Sequence, residues 1–581
     1  MIMARLFGKF LTKNHLLLLL IIFIAAILRL IWLDRVPNSV NFDEIYYLLN
    51  SKAFFLTGKD FSQTIPVTDI LLFRSPPNEL PQSELPFFLQ MTTSGWRSFS
   101  LVENALPNAF LSLLTVIILY LIAKKLFDEQ IALITGFVAA INPWSIFIGR
   151  TSYEVVPAVF FFLLGFYLLL ILKGWKILFS FPVFVLAFYS YIGTKLIFAP
   201  LVLVFTAFCY FQNRKYLKQY IAVLVLSVIL VLFYFFQISN APQGVRLKDI
   251  VTPNNSAIVD QVNYIRKTSI HNFFSFLLEN KFTVFGKVVV TNFLHVFSFD
   301  YLFLQGDYFF SLGRHGLFYL IDILFLTVGV VWLFLAKRKI FLLFSILVLI
   351  STVPQILHDP KGEGNFTPHI AFIFPFFIML IAVGIYQTLK AVGPKSYYLV
   401  LTVILFLYVL SVGNFLNIYF YQFPLQNGIF DFPNRVLSRY LSLSESDQRI
   451  FVYSKNPKDS FEKYIFYTNG YSKQNAVKIA ENLRIGKFSN KNVDFLPCSN
   501  DKDLKIKSGV VIIDVLCGNT FSAKHISIPQ LTDSGAVYSI FNDRTCSGVL
   551  HNRYISNLSV SDFAVEKLSK ESFCKTFITS L

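Results

Sequence analysis

The chain has 581 residues, of which 55% are hydrophobic, 17% aromatic and only 15% charged, with a mean hydropathy of +0.59. Soluble domains carry about 25% charged residues, so one water-soluble core cannot hide this much apolar surface, and the aromatic content excludes a disordered chain. The formal net charge is +17, but the basic residues are scattered between apolar runs, which points to membrane topology and away from nucleic acid.

A crossing of a roughly 30 Å hydrocarbon core needs about 17 to 25 residues. Eleven apolar stretches are candidates: 16–33, 104–123, 130–148, 155–172, 176–192, 196–211, 219–237, 316–336, 340–357, 369–388 and 397–418. With the N-terminus cytoplasmic, fifteen Lys and Arg fall on the inside, whereas the short outside loops hold Arg150, Lys195 and Lys361. That asymmetry is the sign expected of inner loops. The first stretch is too long for the apolar part of a signal peptide and reads as an uncleaved anchor.

Three outside regions exceed simple turns: 37–103, 238–315 and 419–581. The first begins Pro37-Asn38-Ser39-Val40-Asn41-Phe42-Asp43-Glu44. Beyond it Ile45, Leu48, Leu49, Phe55 and Leu56 recur at helical spacing, predicting an amphipathic helix along the membrane surface. Asp43 and Glu44 sit at its start. Asn41 with Glu44 has capping-box spacing, a structural explanation weighed against Asp43 as a general base for an acceptor hydroxyl.

The third outward turn, Asn142 to Glu154, holds Arg150 and Glu154; Thr151 and Glu154 again have capping-box spacing. Lys195 and Arg314 lie on the same side. Each alone is a natural interfacial anchor, and together they can form a cationic site for phosphate. The tail from 426 to 581 reads as a small α/β region, with strands at 450–453, 510–515 and 537–541 and a helix at 461–468. It contains Cys498, Cys517, Cys546 and Cys574, enough for two disulfides in any of three pairings, or for unpaired buried thiols. No P-loop or nucleophile elbow is present in the sequence.

An ordered series of motifs resembles the GT-C membrane glycosyltransferases of the protein O-mannosyltransferase and lipid A aminoarabinose transferase superfamily. It runs from Arg29-Leu30 through Pro37 to Asp43-Glu44, then Leu106-Pro107, Asn142-Pro143-Trp144 with Arg150 and Glu154, Tyr189 to Pro200, Asn292 to Asp307, Arg314, and Tyr419 to Pro424. The resemblance implies an all-α polytopic GT-C domain over 1–425 with an extracytoplasmic α/β domain over 426–581, in the plasma membrane. It also implies a polyprenyl-phosphate sugar donor, an extracytoplasmic acceptor and inversion at the anomeric carbon. Asp43 would be the acidic residue at the start of the first outside loop, supported by Glu44 and Glu154. Arg150, Lys195 and Arg314 would face the donor phosphate, with a divalent metal ion as a further cationic partner. The sequence departs from the family pattern at Glu103-Asn104-Ala105 and near Pro368-His369, where an Arg is expected. The competing expectations are a lipid-linked-sugar flippase and a non-catalytic envelope protein.

Overall fold

The computed structural model describes residues 13–73, 83–240, 252–270, 272–358, 366–426, 430–444, 448–498, 509–518, 525–532, 535–549 and 558–580. Arg5, Lys9 and Lys361 lie outside these.

Each of the eleven apolar stretches coincides with helix. The long ones are α1 (Lys13–Leu30), α3 (Leu101–Leu126), α7 (Ile192–Gln212), α8 (Leu217–Asn240), α12 (Arg338–Ile356), α13 (Phe374–Ala391) and α14 (Pro394–Asn417). Four are shorter: α4 (Glu129–Ile141), α5 (Val155–Ile171), α6 (Ser180–Ser190) and α11 (Asp322–Ala336). Eight segments among the described residues are long and apolar enough to cross a membrane by length and composition. The chain is a mostly helical, multi-pass membrane protein. Seven of the eight match predicted crossings; the eighth, Lys281–Ser311, falls in the region expected to be an outside loop. It contains α10 (Lys281–Val296), which packs along α12 and against α9 (Ser256–Thr268).

Helix ends follow local chemistry. Asp128 accepts from the Ile131 amide at the start of α4, and Asn142 ends that helix because Pro143 begins a new one that Asn142 itself caps. The predicted 130–148 crossing is therefore broken. The last carbonyls of α4 have no intrahelical donor. Arg29 of α1 supplies it: its guanidinium, fully buried, donates to the Ala139 and Ala140 carbonyls, to Ala25 O, and to the hydroxyls of Ser112 and Ser145. Unmet carbonyls cost most where water is excluded, so a buried arginine is a favourable cap at this position.

α13 is apolar around its circumference and almost wholly buried, the pattern of a central helix. It meets α11 where Gly384 and Gly329 let the two backbones touch: a Cβ on either would overlap the carbonyl oxygen of Phe325 or Leu380. Large exposed apolar side chains such as Phe23, Phe211, Leu232 and Leu335 face outward from other helices.

Among the described residues the tail forms a seven-stranded sheet in the order β2-β3-β1-β4-β6-β5-β7, in which β1 (Ile450–Ser454) is parallel to β3 (Val493–Pro497) and β4 (Val510–Asp514). β6 (Ala536–Phe541) pairs antiparallel with β4 and with β5 (Ile526–Pro529). The edges are β2 (Phe488–Asn490) and β7 (Thr579–Ser580). The three expected strands form. The four others are too short or too polar to stand out in the sequence. The expected helix, α16 (Pro457–Tyr467), starts earlier than predicted because Asn456 caps it with Pro457 in its first turn. The cysteines pair as Cys498–Cys517 and Cys546–Cys574.

The amphipathic helix of the first loop forms as α2 (Phe42–Thr57), but its placement differs from expectation. Ile45, Leu48 and Leu49 are buried in one core with Phe432, Val436 and Leu437 of α15 (Phe432–Leu443) and with Tyr464 and Phe466 of α16. The apolar stripe that suits a lipid surface equally suits a protein core, and periodicity does not distinguish the two.

Gly384→Leu is expected to separate α11 from α13 and prevent a monodisperse fold, seen as loss of the folded peak on size exclusion in detergent. Glu462 gives a pH test. Burial holds its carboxyl up at about 7 against an ordinary 4.5. The folded state therefore keeps a proton that the unfolded chain loses first. Stability should be full below about pH 4.5 and fall, by up to about 3 kcal/mol, as pH rises through 7. Thermal unfolding of Glu462→Gln should lack this slope.

Candidate functional site

The segment that leads out of α1 is held from two sides. Arg150, almost wholly buried, donates to the carbonyls of Leu28 (3.2 Å) and Val36 (2.8 Å) and to the Tyr419 hydroxyl, with its guanidinium over the Tyr419 and Phe420 rings. Arg435, equally buried, donates to the carbonyls of Asp34 (3.4 Å) and Asn38 (2.5 Å) and pairs with Glu566. Asn38 Nδ2 donates to Pro424 O, and the Tyr467 hydroxyl meets Ser39 Oγ at 2.6 Å and accepts from the Val40 amide.

This fixed lead-in delivers Asn41, Asp43 and Glu44 to the start of α2. The capping box forms: Asn41 Oδ1 accepts from the Glu44 amide, and Glu44 Oε2 accepts from the Asn41 amide, both at 2.9 Å. The Glu44 carboxylate also accepts from the Ser152 amide (2.7 Å), the Ser152 hydroxyl (3.1 Å) and Asn104 Nδ2 (3.3 Å). Burial pushes the Glu44 carboxyl up from its ordinary range, against these hydrogen bonds, which favour the anion. Glu44 is thus a buried tie between the first loop and the third outward turn, whereas Asp43 beside it is exposed.

The second predicted capping box is not realised. Thr151 donates to Ile148 O, and Glu154 enters α5 without a side-chain cap. Glu154 instead accepts from the Tyr47 hydroxyl, which itself accepts from the Ser83 amide. Next to Glu154, the Tyr153 hydroxyl is held well above the ordinary range for a phenol, first by burial and then by the charges of Glu44, Asp43, Asp307 and Glu154. Four carboxylates from three stretches of chain are therefore grouped round one phenol. Asp307, buried, caps the turn at Phe309 and accepts from the amide and hydroxyl of Thr367.

The three cations expected at a phosphate differ from one another. Arg150 is turned into the backbone, as above. Lys195 is buried and paired with Glu84 at 2.6 Å, among the rings of Tyr234, Phe73 and Phe188. Burial pushes the Glu84 carboxyl up and the Lys195 charge pulls it down. Arg314 is exposed and donates to Gln422 Oε1. Asp43, Glu44 and Glu154 come together; Arg150 adjoins them through the shared lead-in, and Arg314 through the turn that follows Tyr419.

The sequence pattern alone does not single out Tyr47, Tyr153, Glu84 or Asp307. Glu84 has a usable signal, a lone acid before the apolar Leu85-Pro86-Phe87-Phe88; Asp307 has only its place after Gly306. His358 and His369, solitary in the sequence, bring their rings to 4.3 Å. Among the described residues no group of three or more His, Cys, Asp or Glu side chains is arranged to hold a metal ion. The expected divalent metal therefore has no fitting donor set among them, and no chemistry is assigned to it.

No protein-family model and no curated protein sequence matches the chain. Among solved structures it is similar to the apo oligosaccharyltransferase of Archaeoglobus fulgidus, at 12% identity and a TM-score of 0.43 over 92% of this chain and 74% of that one. It is also similar to ArnT from Cupriavidus metallidurans in the apo state, at 12% identity and a TM-score of 0.45 over 90% of this chain and 97% of that one. The same protein bound to undecaprenyl phosphate gives 12% identity and a TM-score of 0.43 over the same shares.

Removing one member of the buried Lys195–Glu84 pair should be costly. Glu84→Gln is expected to lower stability by about 3–5 kcal/mol, while Glu84→Gln with Lys195→Met recovers most of it, as read by thermal unfolding in a double-mutant cycle.

Proposed function

We propose that this protein is an integral membrane glycosyltransferase. It moves a sugar from a polyprenyl-phosphate donor to a hydroxyl of a lipid, glycan or protein, with inversion, on the extracytoplasmic face of the plasma membrane. The observation that carries this reading is Asp43. It is an exposed carboxylate in the first turn of α2, on a backbone clamped by Arg150 and Arg435, at the end of the bundle where α1 emerges. The motif order set out above supplies the donor class, and the excess of basic residues in the opposite loops supports the orientation.

In this mechanism Asp43 accepts the proton of the acceptor hydroxyl as that oxygen bonds to the anomeric carbon from the face opposite the phosphate. The bond from the anomeric carbon to the phosphate oxygen breaks, and polyprenyl phosphate departs with the electron pair. Glu44 and Glu154 are positioning residues: Glu44 sets the backbone beside Asp43, and Glu154 holds Tyr47 one turn along α2. Of the three cations, the exposed Arg314 is the one suited to meeting the phosphate directly; Arg150 and Lys195 act through the lead-in and through Glu84. α15 and α16 pack on one face of α2, so the C-terminal region lies beside Asp43 on the side where the acceptor would approach.

The test is release of free polyprenyl phosphate from a panel of polyprenyl-phosphate sugars by the full-length protein in lipid vesicles. Asp43→Asn should lower the rate by about 10²–10⁴-fold, with thermal stability within about 0.5 kcal/mol of wild type because the side chain is exposed. Transbilayer movement of intact donor, without release and unaffected by Asp43→Asn, would replace the transferase with a flippase. Neither release nor movement across the whole panel would favour the non-catalytic envelope protein.

A further inference from the structure

The region between α8 and α11 holds a segment apolar enough to cross a membrane, yet a single crossing there is forbidden by its neighbours. α8 begins beside Arg214, Lys215 and Lys218, and near its far end Tyr234 packs on Phe73 and Phe188 around Lys195. α11 ends at Lys337, Arg338 and Lys339, and the turn before it is tied to Asn142, whose Nδ2 donates to Leu317 O. Both helices thus meet this region at the face that carries Asp43. A chain that leaves and returns at one face makes an even number of crossings.

α10 cannot supply a full one. Its 16 residues span about 24 Å at 1.5 Å per residue, short of a roughly 30 Å core. Near its C-terminus Asn292 donates to Ile356 O at the outer end of α12, and α10 packs along that membrane helix. α9 folds back on α10 through Ile258, Val262, Val284 and Val288, which form a small core of their own. The two helices make a hairpin.

The turn of this hairpin is strongly apolar on its outside. Ile270 is 91% exposed, and Phe273, Phe274, Leu277, Leu278 and Phe282 are all more than half exposed. Exposure of this extent in a contiguous run is not sustained in water. Immediately on either side stand the exposed Arg266, Lys267, Lys281 and Lys287. The acidic residues of the hairpin are Asp260 and Glu279, and the Glu279 carbonyl accepts from Arg266. An apolar turn with a basic collar matches a leaflet with acyl chains below and phosphates above.

We propose that the hairpin of α9 and α10 is re-entrant. It enters the bilayer from the Asp43 face and leaves by the same face, with Ile270, Phe273, Phe274, Leu277 and Leu278 among the acyl chains and the basic collar of Arg266, Lys267, Lys281 and Lys287 reaching the phosphates of anionic phospholipids.

The test uses the full-length protein in nanodiscs with an environment-sensitive fluorophore on Phe274→Cys. The native thiols do not compete, since Cys209 is buried and the other four form disulfides. Acyl-chain-brominated phosphatidylcholine should quench this probe by roughly twofold or more while aqueous iodide has little effect; a probe on Asp260→Cys should behave oppositely. Adding phosphatidylglycerol should deepen the quenching, and Lys267→Gln with Lys281→Gln should remove that increment. Iodide quenching at 274 would put the turn in water and overturn the proposal. Protection from both quenchers would also overturn it, by showing the turn covered by protein such as a second copy. Bromolipid quenching with no response to phosphatidylglycerol would overturn the role of anionic headgroups.

Discussion

Two buried guanidinium groups hold the backbone between Leu28 and Asn38, and the arrangement of the site depends on them. A chain leaving a membrane helix presents carbonyls that no helix amide satisfies, in surroundings where an unmet carbonyl is costly. Arg150 takes Leu28 and Val36; Arg435 takes Asp34 and Asn38. Arginine suits the task because its five donors lie in a rigid fork and its charge does not titrate away on burial. One arginine comes from the helical bundle and the other from the sheet-bearing region, so the position of Asp43 reports the docking of both.

The same clamp explains why the tail is not an appendage. α2 lies between the bundle and the α15–α16 layer, sharing its core with that layer on one face and fastened to the third outward turn through Glu44 and Glu154 on another. Charge has been sorted accordingly. Arg29, Arg150 and Lys195 are buried and committed to carbonyls, hydroxyls or Glu84, which leaves the surroundings of Tyr153 rich in carboxylates. In the proposed mechanism this is the setting in which Asp43 would take a proton from a neutral hydroxyl while the exposed Arg314 would meet the anion.

Much of the local order was legible in the sequence. The eleven apolar runs became helices, Asn41 and Glu44 formed their capping box, and the three strands expected from the sequence lie at 450–454, 510–514 and 536–541. These features depend on neighbours within a turn or on hydropathy summed over a window. Where one local pattern has two physical outcomes, the sequence did not discriminate. The Thr151–Glu154 spacing looked like that of Asn41–Glu44 but made no box, and the stripe on α2 found protein where lipid was expected. The 281–311 stretch is apolar enough to cross, but Lys281 and Lys287 and the break after Val296 keep it from reading as one unbroken apolar run.

The sequence by itself determined the class of molecule, the helices and the small α/β tail, because burying apolar side chains and satisfying backbone groups in a bilayer admit few alternatives. Tertiary structure alone decided which charges are structural and which remain exposed. Lys195 meets Glu84 across 111 positions and Arg435 reaches Asn38 across 397, and no periodicity encodes such pairings. An ion's role is set by what its surroundings allow it to reach, and that is fixed only when distant segments pack.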